Sequence, residues 1–270
     1  MEKSFFEEML SRNYQGTPEV EEKWDARAKH FNLSQQKDRS GLAEKVTNIL
    51  KEWGILAGAA VLDIGGGSGR YAIPFAEHAE HVTVTDISSN MLELAKNNAQ
   101  THGLTNLSYV KTQWESADIS ALNWNRKFDL SFASMCPAVR SPEGLRKMSE
   151  VSKGFCLMNQ FITGRDLLSD YLIKELGIKR SHDPHNDRVT VQAVFNLLWL
   201  EGYEPEVTYL RQEDKSTYTI GEAIEQYERR YAPEAQSKGF DLKNLIAKYA
   251  QGDVVKVSSK STLAMILWKV

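Results

Sequence analysis

Between Val61 and Arg70 the chain reads VLDIGGGSGR: a short apolar run with one acid, then glycines at every second position, Gly65, Gly67 and Gly69, with Gly66 between the first two. Glycines in such a turn let backbone N–H groups approach a ligand closely, and a helix starting there directs its positive end at an anionic group. The spacing is not that of the dinucleotide fingerprint G-x-G-x-x-G, because Arg70 stands where the third glycine belongs. No Gly-Lys-Ser/Thr ending follows, as a P-loop requires. Asp63, two positions ahead of Gly65, supplies a carboxylate suited to a ligand's ammonium group rather than to a pyrophosphate. Asp86 ends the next apolar run, where a carboxylate can accept both hydroxyls of a ribose. The plainer role for Asp86 is a charge at the amino end of the helix after Ser88.

A second group of reactive side chains lies in SHDPHNDR, residues 181–188. His182, Asp183 and His185 are candidate general bases for an acceptor that must lose a proton. The same segment invites a metal reading. However, His-x-x-His in a proline-containing loop lacks the fixed face of a helical pair, and no further ligand is identifiable, so no metal is expected. A solvated loop is the plainer reading. Cys136 and Cys156 are the two cysteines and lack metal-ligand spacing, which suits a reduced, cytoplasmic setting better than a disulfide framework. Cys136 is read as packing rather than as a nucleophile.

These residues need a scaffold, and from Ala60 onward short apolar runs alternate with helical periodicity, the pattern of β-α-β units and a largely parallel sheet. Strands are predicted at 60–64, 81–86, 107–111, 128–133, 154–161 and 206–210, with a closing strand at 261–270. Helices are predicted at 68–79, 88–102 and 142–152, the last opened by Ser141-Pro142 as cap and first-turn proline. Residues 1–50 form a helical cap, with a start signal at Thr17-Pro18 and a stripe of Val20, Trp24, Arg27 and Phe31. After Phe161 a polar stretch precedes an apolar helix at 189–200. Thr219 and Glu222 then form a capping-box pair ahead of a face made of Ile220, Ile224, Tyr227 and Tyr231. The reading is one domain, 1–270, with insertions at 162–188 and 211–258 expected to form a lid over the acceptor.

The chain has 270 residues and 41% hydrophobic content, enough for a sizeable core. Its 33 basic and 36 acidic side chains give a net charge of -3, which provides no overall field for a nucleic-acid backbone. No apolar run approaches the ~18 residues of a membrane span, and MEKSFFEEML does not read as a secretion signal. Neither nucleic acid nor membrane is an expected partner.

DIGGGSG followed by VTVTDISSNMLELAKNNA resembles the class I S-adenosylmethionine-dependent methyltransferases, particularly their small-molecule branch. The resemblance implies a Rossmann-like methyltransferase fold: a mostly parallel seven-stranded α/β sheet, helices on both faces and a late helical insertion. It implies S-adenosylmethionine as cofactor, its methionine part at Asp63, Gly65, Gly66, Gly67 and Gly69 and its ribose at Asp86. Ile87 and Met91 would pack on the adenine, and Gln113, Trp114 and Glu115 share the contact to the adenine amine. Ser134, Met135 and Cys136 would lie beside the reactive methyl group. Trp24 and Arg27 belong to a segment similar to the amino-terminal helix that relatives fold over the cofactor, with Arg27 facing its carboxylate or a surface ion pair. Tyr14, Arg27 and His185 are expected to border one cavity. The expected reaction is methyl transfer to a small-molecule acceptor by in-line displacement. The alternatives are an NAD-dependent oxidoreductase or epimerase, and a non-catalytic S-adenosylmethionine-binding regulatory protein.

Overall fold

The computed structural model of the protein describes residues 2–12, 19–38, 40–179, 183 and 185–270. Strands β1 (Ala60–Ile64), β2 (His81–Asp86), β3 (Leu107–Lys111), β4 (Phe128–Ser134), β5 (Ser152–Asp166), β6 (Glu206–Thr219) and β7 (Val254–Lys269) form one sheet in the order β3-β2-β1-β4-β5-β7-β6. The β3-β2-β1-β4-β5 part is parallel throughout. Parallel neighbours need crossovers. Helices α4 (Ala72–Ala76), α5 (Ser89–Thr101) and α6 (Pro142–Val151) serve the β1–β2, β2–β3 and β4–β5 connections. The strand order reverses at β1, between β2 and β4, so the carboxyl ends of β1 and β4 flank the crevice where open α/β sheets bind ligands. The fold is the Rossmann-like α/β arrangement expected.

The chain divides into two compact units. The first comprises Met1–Gln160, Val189–Thr208 and Ala264–Val270, and the second Phe161–Arg188 and Tyr209–Leu263. In the first, apolar strands such as AVLDI are almost wholly buried because helices cover both faces. Leu62, Ile64, Phe75, Phe128, Phe132, Met148 and Trp268 fill its core. The Ser88 hydroxyl accepts from Met91 N–H at 3.1 Å to start α5, and the Ser141 hydroxyl accepts from Gly144 N–H at 3.0 Å to start α6. This unit also holds α1 (Lys3–Ser11), α2 (Val20–Gln36), α3 (Leu42–Glu52) and most of α8 (Arg188–Leu200).

The second unit has a core of its own, formed by α7 (Leu167–Glu175), α9 (Ile220–Ser237) and α10 (Leu242–Tyr249) together with Val255 and Val257 of β7. The Thr219/Glu222 capping box opens α9 as predicted, and Tyr227 and Tyr231 stack with ring centroids 6.3 Å apart. The Tyr227 hydroxyl donates to Asp166, whose other oxygen takes Ser169 N–H at 2.8 Å and so caps α7. Among the described residues no helix is long and apolar enough to cross a membrane.

Boundaries differ from the sequence reading by more than one residue in four elements. The helix expected over 68–79 is regular only at Ala72–Ala76, because Gly69, at φ 88°, keeps the preceding turn out of the helical region. β5, β6 and β7 extend beyond the predicted limits, β6 reaching Thr219 and β7 beginning at Val254. The outer part of β6 is exposed or half-buried throughout, so no apolar alternation marks it as a strand. The Thr17-Pro18 start lies outside the described residues.

Candidate functional site

The site is built on the carboxyl ends of β1 and β2. Asp63, the fourth residue of β1, is 2% exposed and receives the Ala72 N–H at the start of α4. Its Oδ2 is buried and has no hydrogen-bond partner. Burial, with the negative charge of Asp86 adding to it, pushes the Asp63 carboxyl up to about 7. The structure thus leaves one dry carboxylate oxygen unmatched, which a cationic donor would satisfy and an anion would not.

The glycine loop lies over that oxygen. A Cβ at Gly66 would fall 2.7 Å from Asp63 Oδ2 and 2.8 Å from Val84 Cγ1. Gly65, at φ 65°, passes so close to Cys136 that a Cβ there would meet its Sγ at 2.5 Å. Gly67 has φ 56° and faces Phe31 and Met91. Within the loop, Gly66 N–H donates to the Thr85 carbonyl at 3.1 Å and Gly69 N–H to the Gly66 carbonyl at 3.0 Å.

Asp86 joins the two loops: Oδ2 accepts from Gly67 N–H at 3.0 Å, and Oδ1 accepts from Ser88 N–H at 2.9 Å. Burial raises its pKa, opposed by the N–H groups of Ser88, Gly67 and Ile87. The ribose role and the helix-end role anticipated from sequence are compatible, since a carboxylate oxygen accepts more than one hydrogen bond.

Helix α2 packs on α5 through a polar seam that the sequence reading did not identify. Asp25 accepts from the Ser88 hydroxyl and from Asn90 N–H, and its backbone carbonyl accepts from Asn90 Nδ2 at 3.2 Å. Asn98 Nδ2 donates to Asn32 Oδ1 at 2.8 Å and to the Ser68 carbonyl at 2.9 Å. The Ser68 hydroxyl donates to Gln35 Oε1 at 2.9 Å, and Arg70 pairs with Asp38 just beyond the helix. Asp25, Asn32 and Gln35 recur at helical spacing, a stripe detectable in sequence. Polar residues on a helix read by default as solvent-facing.

The other predicted cofactor residues fall at varied distances from this centre. Trp24 is half-buried and packs edge-on against Phe31 at 5.9 Å, whereas Arg27 is exposed on α2. Met91 is buried beside Gly67 and Ile87 is half-buried. Trp114 is buried, and its indole N–H donates to the Gly144 carbonyl at 3.0 Å, which ties it to α6; Gln113 is exposed and Glu115 half-buried. Ser134 ends β4 and is hydrogen-bonded to Tyr71, whose ring packs on Phe132 at 5.0 Å. Cys136 is buried and its thiol pushed up to about 12, so it carries no thiolate for nucleophilic work near neutral pH.

His182 and Tyr14 lie outside the described residues. Asp183 belongs to the second unit, where it accepts from His185 N–H at 2.9 Å and from Asn186 Nδ2 at 2.7 Å. Burial opposes its charge, yet these hydrogen bonds outweigh it and its pKa is lowered. His185 is exposed in the same turn. Among the described residues no group of three or more His, Cys, Asp or Glu side chains could hold a metal ion.

Residues 61–153 match the methyltransferase domain family. That stretch, from β1 to the start of β5, is similar to a methyltransferase domain. Among curated proteins the chain is similar to the 23S rRNA uracil-C(5) methyltransferase RlmD of Shewanella sediminis, 29% identical over 143 residues. That match takes in 51% of this chain and 32% of the other, so the chain spans about a third of the length of the curated relatives it matches. Among solved structures it is similar to the [4+2]-cyclase SpnF, 15% identical, with 93% of this chain and 94% of that one covered at a TM-score of 0.55. It is also similar to a candidate methyltransferase of Bacillus halodurans, 17% identical over 82% of this chain and 97% of that one, TM-score 0.51. These likenesses establish the fold of the methyltransferase domain.

The residues present fit the family's cofactor on two observations: the unmatched oxygen of Asp63 beneath the loop, and a loop that any added Cβ at Gly65 or Gly66 would obstruct.

Proposed function

We propose that the protein transfers a methyl group from S-adenosylmethionine to a small-molecule acceptor by in-line displacement. The observation that carries this reading is Asp63 Oδ2, buried without a partner under the loop of a methyltransferase domain, an acceptor site for an ammonium donor. When bound, the cofactor supplies an electrophilic methyl on a sulfonium whose charge is lost on transfer. The chain's own part is placement: Asp63 takes the amine, the glycine loop lets the methionine portion approach closely, and Asp86 takes the ribose. Such a displacement needs alignment and exclusion of water more than a protein nucleophile, in keeping with a Cys136 thiol held neutral. Of the base candidates, Asp183 is a weak one, because its lowered pKa reduces its hold on a proton. We retain His185 for acceptors that lose a proton.

A small acceptor is favoured over RNA by the near balance of 33 basic and 36 acidic side chains. The RNA reading rests on the names of the curated relatives. The name of SpnF, a [4+2]-cyclase, favours a further reading, in which the same fold performs other chemistry. Calorimetry with S-adenosylmethionine, S-adenosylhomocysteine and NAD tests the cofactor assignment; NAD binding in preference to the other two would refute it. Incubating the protein and isotopically labelled S-adenosylmethionine with a metabolite extract or with total RNA, followed by mass spectrometry, tests the acceptor. Label confined to RNA would overturn the small-molecule assignment, and cofactor binding without label in either would overturn methyl transfer.

A further inference from the structure

Asn159 lies on β5, one strand beyond β4. It is 0% exposed, and neither its Oδ1 nor its Nδ2 has a hydrogen-bond partner. Its backbone is part of the sheet: the carbonyl accepts from Met135 N–H at 3.0 Å, and the residue is the register partner of Ser134. The side chain therefore adds nothing to the sheet that an apolar residue would not. A buried carboxamide with donor and acceptor both unmatched is strongly destabilising, because both groups have lost water without replacement. Such a cost in a packed sheet marks a group kept for a partner that is not part of the chain.

Register places this group. Asp63 pairs with Phe132, and Ser134, two residues further along β4, pairs with Asn159. Side chains two apart on a strand share a face, so Asp63, Phe132, Ser134 and Asn159 project from the same side of the sheet. Tyr71, packed on Phe132 and hydrogen-bonded to Ser134, confirms that side. The unmatched carboxamide thus stands two strands from the unmatched carboxylate, at the same sheet end and on the same face. Between them, Met135 turns the chain at φ 54°, a conformation uncommon for a side chain of its kind, and both Ser134 and Met135 are half-buried. Met135 has an unbranched, adaptable side chain that can yield to an arriving molecule.

We infer that Asn159 is the acceptor-recognition group of this site, and that it selects a neutral molecule presenting a hydrogen-bond donor and acceptor side by side, as on the cis-amide edge of a lactam or cyclic imide. A carboxamide matches such an edge with two hydrogen bonds and cannot neutralise a carboxylate or an ammonium in a dry site. The inference rests on the methyl-donor reading above, so the two are tested in sequence.

Titration of S-adenosylhomocysteine into wild-type protein comes first, and failure to bind overturns the donor reading and this inference with it. The probes uracil, 2-pyridone and benzoate are then titrated into the S-adenosylhomocysteine complex of wild type, Asn159→Leu and Asn159→Ala. Expected is saturable binding of uracil or 2-pyridone to wild type, weakened by about tenfold or more in both variants, as for one hydrogen bond lost in a dry site. Affinity for S-adenosylhomocysteine should stay within about twofold, a change worth less than one such bond. Should the leucine variant fail to fold, the alanine variant carries the readout. Asn159 is overturned as the recognition group if neither lactam binds wild type, if the variants bind them equally well, or if benzoate binds best. An equal loss of S-adenosylhomocysteine affinity in both variants would overturn it too, by placing Asn159 in the donor pocket.

Discussion

The carboxylate of Asp25 on α2 accepts the hydroxyl hydrogen of Ser88, the residue that caps α5. That hydroxyl therefore serves two helices: it accepts from Met91 N–H within α5 and donates across to α2. Ser88 also gives its own N–H to Asp86, so α2, α5 and the proposed ribose carboxylate meet on one residue.

Replacing Asp25 by alanine is expected to lower stability by about 1 kcal/mol, in the range of a lost cap or charge-assisted hydrogen bond. It should weaken S-adenosylhomocysteine binding several-fold by loosening Ser88. Urea unfolding and calorimetry measure the two effects; loss of stability with unchanged affinity would make the seam purely structural.

Asp63 predicts a pH dependence with a definite sign. Its carboxyl is raised from 3.8 to about 7 in the folded chain, so the fold holds this proton more tightly than the unfolded chain does. Its contribution to stability is fully present below the unfolded value, falls as pH rises from about 4 to 7, and is lost above. Binding a ligand ammonium requires the ionised form, so affinity for S-adenosylhomocysteine should rise with pH up to about 7 and then level off. Asp63→Asn should remove this dependence, weaken binding by about tenfold or more, and raise the melting temperature of the ligand-free protein at pH 8. Wild-type binding that is flat between pH 5.5 and 8 would contradict the assignment.

Asp86→Ala is expected to weaken S-adenosylhomocysteine binding by more than about tenfold, since a carboxylate hydrogen-bonded to a sugar is worth about 1.5–3 kcal/mol. It also strips the Gly67 and Ser88 N–H groups of their acceptor, so a modest fall in melting temperature should accompany the loss. Unchanged affinity would remove the ribose role.

The approach of Gly65 to Cys136 can be tested by a double-mutant cycle. Gly65→Ala should destabilise through both its φ of 65° and the contact with Sγ, whereas Cys136→Ala should be milder. In the double mutant the steric part is relieved, so the losses should fall short of additivity by about 0.5 kcal/mol or more. Strict additivity would show that backbone conformation alone excludes a side chain at Gly65.

Much of this arrangement is legible in the sequence. Val61–Arg70 announces its strand and turn because apolar β-branched residues and glycines act locally, and Thr219 with Glu222 announces a helix start for the same reason. What escaped reading depends on partners distant in the chain. The Trp114 indole finds its acceptor in the Gly144 carbonyl, and Asn32 its donor in Asn98, both partners far along the chain. Asn159, inside an apolar run, shows its lack of partners only once the strands on either side are in place.

The polar character of the α2 seam has a thermal consequence. Separating α2 from α5 would expose the amide, hydroxyl and carboxylate groups of the seam, whose hydration lowers heat capacity and offsets the rise from apolar residues of the same helix such as Ala28. The strength of that attachment should therefore vary little with temperature, while the stability of the sheet beneath follows the curved profile of a hydrophobic interior.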